Sequence, residues 1–113
     1  MNILNLLRSR DERSYQAYIP TKSGKLIMSV VGGEGLYSSP REKVKTEEYT
    51  ELELAVFNME TNKWASYNEV KPIFELIGKG EYYDLGEEEN NNPSCAVFGY
   101  IEVEKLNKVW EML

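Results

Sequence analysis

The sequence predicts a single α+β domain over residues 1–113, an antiparallel sheet of four or five strands with two or three short helices packed on one face. Three observations predict it. Leu52, Leu54 and Val56 alternate with Glu51, Glu53 and Ala55, the period of a strand with one face in a core and one in water. Val70, Ile73, Phe74 and Ile77 then recur at the spacing of a helix lying on a core. Val103, Leu106, Val109, Trp110 and Leu113 repeat that spacing at the end of the chain.

The remaining elements follow in order. Ile3, Leu4, Leu6 and Leu7 share one side of a short opening helix or docking segment. Residues 14–19 alternate as a strand, PTKSG reads as a turn around Gly24, and KLIMSVV as the returning strand. VVGGEG reads as that strand ending in a bend, with the glycines as a hinge that presents the following residues. NMETNKW reads as a turn into a second short extended piece. Ser66 or Asn68 is suited to cap the first long helix, Pro72 fits only in its first turn, and Gly78 is placed to stop it. EYYDLGEEENNNPS reads as a loop, and SCAVFGYIEV as a strand near the middle of the sheet, where Gly99 marks a bulge or close packing.

Composition excludes several chemistries. There is no histidine, so Ser-His-Asp, Cys-His and histidine-metal mechanisms have no base or ligand to use. The single cysteine, Cys95, opens an apolar strand without a neighbouring base and reads as a buried structural thiol. DLGEEENNN lacks the alternating ligand spacing of a calcium loop, and the Gly24-Lys25 step lacks the spacing and following helix of a phosphate loop. The sequence therefore implies a non-enzymatic protein with no cofactor and no metal. No signal or membrane-spanning segment is expected before Arg8, which implies a cytoplasmic location in a bacterial host.

Charge is unevenly distributed. Residues 1–45 carry a formal +4 and residues 46–113 a formal −10. Glu81, Tyr82, Tyr83, Asp84, Glu87, Glu88 and Glu89 combine carboxylates with two aromatic rings, and no basic residue interrupts them. Such a surface repels nucleic acid and membranes and suits a partner protein with a basic surface. These seven residues are the candidate partner-binding site. An alternative site, for a small anionic ligand such as a nucleotide signal, consists of Gly33, Gly35, Tyr37, Ser38 and Arg41: backbone amides and a guanidinium for the anion, a ring to stack a base. The exposed aromatics also permit a homo-oligomer.

Tyr37-Ser38-Ser39-Pro40-Arg41, followed by the alternating strand Tyr49–Phe57 and by Trp64, resembles small uncharacterised phage and prophage proteins, in which an S-P-R segment precedes such a strand and a tryptophan. Small size, acidity and missing enzyme motifs are also similar to anti-CRISPR and other anti-defence proteins. The resemblance implies an inhibitor of a bacterial defence system that works by binding. A nucleotide-signal sponge and an immunity protein for a basic nuclease toxin are the other functions that these features suit.

Overall fold

The computed structural model describes residues 2–77, 83–84, 88–89, 92–93 and 97–113. The strands in chain order are β1 (Arg8–Ser9), β2 (Ser14–Pro20), β3 (Leu26–Gly33), β4 (Glu51–Asn58), β5 (Tyr83–Asp84), β6 (Glu88–Glu89), β7 (Asn92–Pro93) and β8 (Val97–Glu102). Among the described residues they are joined by two α-helices, α1 (Tyr67–Ile77) and α2 (Val103–Met112), and by 3₁₀ turns at Ile3–Leu6 and Thr46–Glu48. The antiparallel sheet runs β1-β2-β3-β4-β8-β5, with four principal strands and a two-residue strand at each edge. The expected α+β fold is the one observed.

Alternation decides which way each strand faces. Leu52, Leu54 and Val56 of β4 are buried with Met28 and Val30 of β3, Ala17 and Ile19 of β2, and Phe98 and Ile101 of β8. Val70 and Ile73 of α1 and Leu106 and Val109 of α2 close the same cluster, so both helices cover one face and, among the described residues, the other face carries no helix. At about 1.5–3 kcal/mol for each large apolar side chain fully buried, this cluster is the main source of stability.

Local chemistry explains the boundaries. The turn between β2 and β3 places Gly24 at φ +76 with its amide on the Thr21 carbonyl at 2.9 Å. Ser66 caps α1 through a reciprocal box: its Oγ accepts from the Glu69 amide at 3.3 Å, and its own amide donates to Glu69 Oε1 at 2.9 Å. Such a cap contributes about 1 kcal/mol. The Ser66 amide, aided by Asn58, holds the Glu69 carboxyl below its ordinary range.

Three expectations need correction. Pro72 is the sixth residue of α1, in the second turn rather than the first, because the Ser66 box fixes the start so early. The helix tolerates the missing amide because Val70 and Ile73 are fully inserted into the core on either side of it. Leu6 is exposed although Ile3 and Leu7 are buried: the opening turn is 3₁₀, and the chain becomes extended at Leu7, which swings into the core instead. The strand expected to end near Val31 continues through Gly32 and Gly33, both still paired with β2. Gly78 and Cys95 lie outside the described residues.

β8 carries the bulge anticipated at Gly99. Leu52 faces Ile101 and Leu54 faces Phe98, so Glu53 alone stands opposite both Gly99 and Tyr100. Tyr100 takes φ +56, rare for a bulky side chain, and its amide donates to the Tyr37 carbonyl at 2.8 Å. The bulge thereby ties β8 to the segment after β3.

Candidate functional site

Glu51, Glu53 and Glu102 are the only charged residues of the four principal strands. Since Leu52, Leu54 and Ile101 point into the core, the alternation turns all three carboxylates toward the helix-free face. Glu51 and Glu102 are direct cross-strand partners. Like charges placed so cost a few tenths of a kcal/mol to about 1 kcal/mol. With Glu104, in the first turn of α2, they line a groove of about 430 Å³ completed by Tyr49, Thr50 and Val103. Among the described residues no basic side chain contributes to its walls. Ser39 Oγ donates to Glu51 Oε1 at 2.7 Å, and the Val103 amide donates to the Thr50 carbonyl at 3.2 Å, so the groove is hydrogen-bonded from both sides.

Glu53 behaves differently because the bulge and the 33–41 segment half-bury it. Burial pushes its carboxyl above the ordinary glutamate range, against the opposing pull of the Tyr37 amide and of the Arg10 and Arg41 charges. Its neutral form is therefore the one the fold favours. Stability from that form is complete below the unfolded glutamate value of about 4.3 and is lost as pH rises through the raised folded value. Glu53→Gln is thus expected to raise the melting temperature at pH 7.5, with the gain shrinking toward zero at pH 3.5. A variant less stable than wild type at pH 7.5 would mean that the two arginines outweigh burial.

The alternative ligand residues are drawn together, but onto one another. Ser38 is 0% exposed; its Oγ accepts from the Gly33 amide at 3.1 Å and donates to the Pro40 carbonyl at 2.8 Å. Gly33 is packed against Arg13 and Ser14. Gly35, at φ +73, forms the exposed tip of a turn in which the Leu36 amide reaches the Gly33 carbonyl at 3.3 Å. Arg41 Nε donates to the Leu36 carbonyl at 3.0 Å, its guanidinium lies 5.5 Å from the Tyr37 ring centroid, and that ring sits 5.8 Å from Tyr100. The segment is a self-closed clasp over Glu53.

The acidic candidates are only partly placed. Glu81, Tyr82 and Glu87 lie outside the described residues. The backbone of Tyr83 and Asp84 forms the sheet edge, opposite Phe98 and Val97, and Glu88 and Glu89 pair with Pro93 and Asn92 in a separate two-stranded ribbon. The segment read as a loop therefore contains three short strands. Sequence reasoning missed the Glu51–Glu102–Glu104 groove, since 51 positions separate its first two members. The available signal was Glu51 and Glu53 alternating with leucine, followed by a glutamate at the end of the last apolar strand.

Among the described residues no three carboxylates or thiols are placed to hold a metal ion, and no helix is long and apolar enough to cross a membrane. Compared with protein families, curated proteins and solved structures, the chain matches none.

Proposed function

We propose that this chain is a non-enzymatic inhibitor, carried by a phage or mobile element, that docks an acidic surface onto the basic, nucleic-acid-binding surface of a bacterial defence protein. The observation carrying this reading is the Glu51–Glu102 pair with Glu104 beside it, a carboxylate groove held open against its own repulsion. Spaced carboxylates of this kind stand in for phosphates in a groove where lysine and arginine already wait. Glu81, Asp84, Glu87, Glu88 and Glu89, with Tyr82 and Tyr83 among them, add a second run of negative charge in the sequence.

The test separates folding from binding. Glu102→Lys replaces a repulsive cross-strand pair with an attractive one but sets a cation at the N-terminus of α2, where it opposes the helix dipole by a similar amount, so it is expected to leave stability within about 1 kcal/mol of wild type. Combined with Glu51→Lys and Glu104→Lys it again pairs like charges and places lysines at the start of α2, so the triple variant is first shown to be folded by circular dichroism; it is then expected to abolish capture of a basic protein from bacterial lysate, and added double-stranded DNA is expected to displace that protein from wild type. If the triple variant captures the same protein as wild type, or DNA fails to compete, the reading is wrong.

A further inference from the structure

Residues 35–38 close over the sheet without joining its core. None of their side chains belongs to the buried apolar cluster: Gly35 is exposed, Leu36 and Tyr37 are half-buried, and Ser38 is buried on hydrogen bonds with the Gly33 amide and the Pro40 carbonyl. Both ends are anchored. Before the segment, the Glu34 amide donates to the Arg13 carbonyl at 2.9 Å. After it, Ser39 bridges Glu51, with the Ser39 amide on the Glu51 carbonyl and the Thr50 amide on the Ser39 carbonyl, each at 3.0 Å. Gly35 takes φ +73 with nothing within 4 Å of where a Cβ would stand, a joint with room to turn. A short stretch with few buried apolar contacts, set between fixed ends, is the kind of unit that opens well below global unfolding.

Two groups are disfavoured in the closed form. Tyr100 keeps φ +56, a region that a bulky side chain rarely occupies, and from there its amide reaches the Tyr37 carbonyl. Glu53 stands opposite Gly99 and Tyr100 with its carboxyl half-buried beneath the segment, so closure takes that group out of water. Against them stand the Tyr100–Tyr37 bond, the Gly33–Ser38 bond, the Arg41 bond to the Leu36 carbonyl and the contact of the Tyr37 and Tyr100 rings. Backbone strain and desolvation oppose the same small set of contacts, and one movement relieves both.

We infer that residues 35–38 are a strap that opens as a unit between Glu34 and Ser39 while the sheet stays folded, freeing Tyr100 from its left-handed conformation and uncovering the Glu53 carboxylate. The uncovered group joins Glu51 and Glu102 on the helix-free face, so the negative surface grows on opening, whatever that face binds. The charges around Glu53 are Arg10 beyond β1, Arg41 beyond the strap, Glu51 on the same strand and Glu102 past the bulge. Tyr37, whose amide reaches it, and Tyr100, which opposes it, carry the nearby phenols, and β3 opposes it with uncharged Val31. Burial penalises the ionised carboxyl, so opening is easiest when Glu53 is charged and is suppressed as pH falls toward the ordinary glutamate value of about 4.3.

Amide hydrogen exchange of the full chain, followed by NMR and corrected for intrinsic rates, tests this. At pH 7.5 the Tyr100 amide is expected to be protected at least tenfold less than the Val30 amide in the centre of the sheet, since it exchanges through the strap alone. Its protection is expected to rise about threefold from pH 7.5 to pH 5.0 in wild type, and Glu53→Gln, which keeps the shape and removes the charge, is expected to abolish that rise. Ser38→Ala removes the acceptor of the Gly33 amide and is expected to speed exchange at Tyr100 about tenfold, because the two bonds break together. A Tyr100 amide protected as strongly as Val30 means that the segment opens only when the whole chain unfolds, and overturns the inference. An equal pH response in wild type and Glu53→Gln, or a folded Ser38→Ala with unchanged exchange at Tyr100, overturns it as well.

Discussion

Gly33→Ala is expected to cost about 3 kcal/mol or more, enough to remove a large share of the stability of a domain this size. Gly33 sits at φ +147, and a Cβ there would lie 2.3 Å from the Arg13 carbonyl oxygen and 2.7 Å from the Ser14 Cα. Both obstacles are backbone atoms of the adjoining strand and its approach, so no rotamer change relieves the clash. Its amide also supplies the hydrogen bond that seals Ser38. Gly35→Ala provides the comparison: it too has positive φ, at +73, but meets nothing within 4 Å, so only the conformational cost of about 1 kcal/mol is expected. Urea denaturation of both variants checks this. A Gly33→Ala loss no larger than that of Gly35→Ala would mean that β2 and β3 separate without cost.

Phe98→Ala is expected to destabilise by about 3–5 kcal/mol and to lower the melting temperature by about 15 °C or more. Phe98 is fully buried between β4 and the helices, and its ring meets that of Phe74 edge to face at 5.3 Å. Removing it leaves a cavity at the strand that carries the bulge and delivers Glu102 to the groove. Phe74→Ala, at a half-buried position, is expected to cost less, and the double variant less than the sum, since the ring pair is lost in either single change. Thermal melts of the three variants give the result; strict additivity would remove the ring contact from the account.

Much of the fold was legible because burial writes its period into the chain. The alternation from Glu51 to Phe57 and the helical stripes at Val70–Phe74 and Val103–Leu113 are direct imprints of one-sided packing. What escaped depends on conformations that the period does not encode. A 3₁₀ turn sends Leu7 inward in place of Leu6, and a capping box starts α1 early enough to put Pro72 in its second turn. The site was less legible than the fold for a related reason. Clustered acids such as Glu87, Glu88 and Glu89 are conspicuous in a sequence, whereas Glu51 and Glu102 meet only through strand register. Conversely, Ser38 and Arg41 looked available to a ligand because their internal partners, the Gly33 amide and the Leu36 carbonyl, are invisible until the segment folds back.

The extra residue in β8 has a consequence for how the inside and outside of this molecule are linked. Phe98 and Ile101 are three positions apart, an odd step that a regular strand would send to opposite sides, yet both are fully buried. Gly99 and Tyr100 act as a phase shift: every residue after them changes sides relative to the count before. The core filled by Ile101 and the negative surface offered by Glu102 are thus set by one and the same frame. Pairing β8 as a regular strand with Gly99 and Tyr100 both kept would exchange them, turning an isoleucine to the solvent and a carboxylate toward the leucines of β4, whereas deleting one of the two would remove the bulge and leave Ile101 and Glu102 where they are. Hydrophobic burial, acting on Phe98 and Ile101 together, is what keeps that charge facing outward.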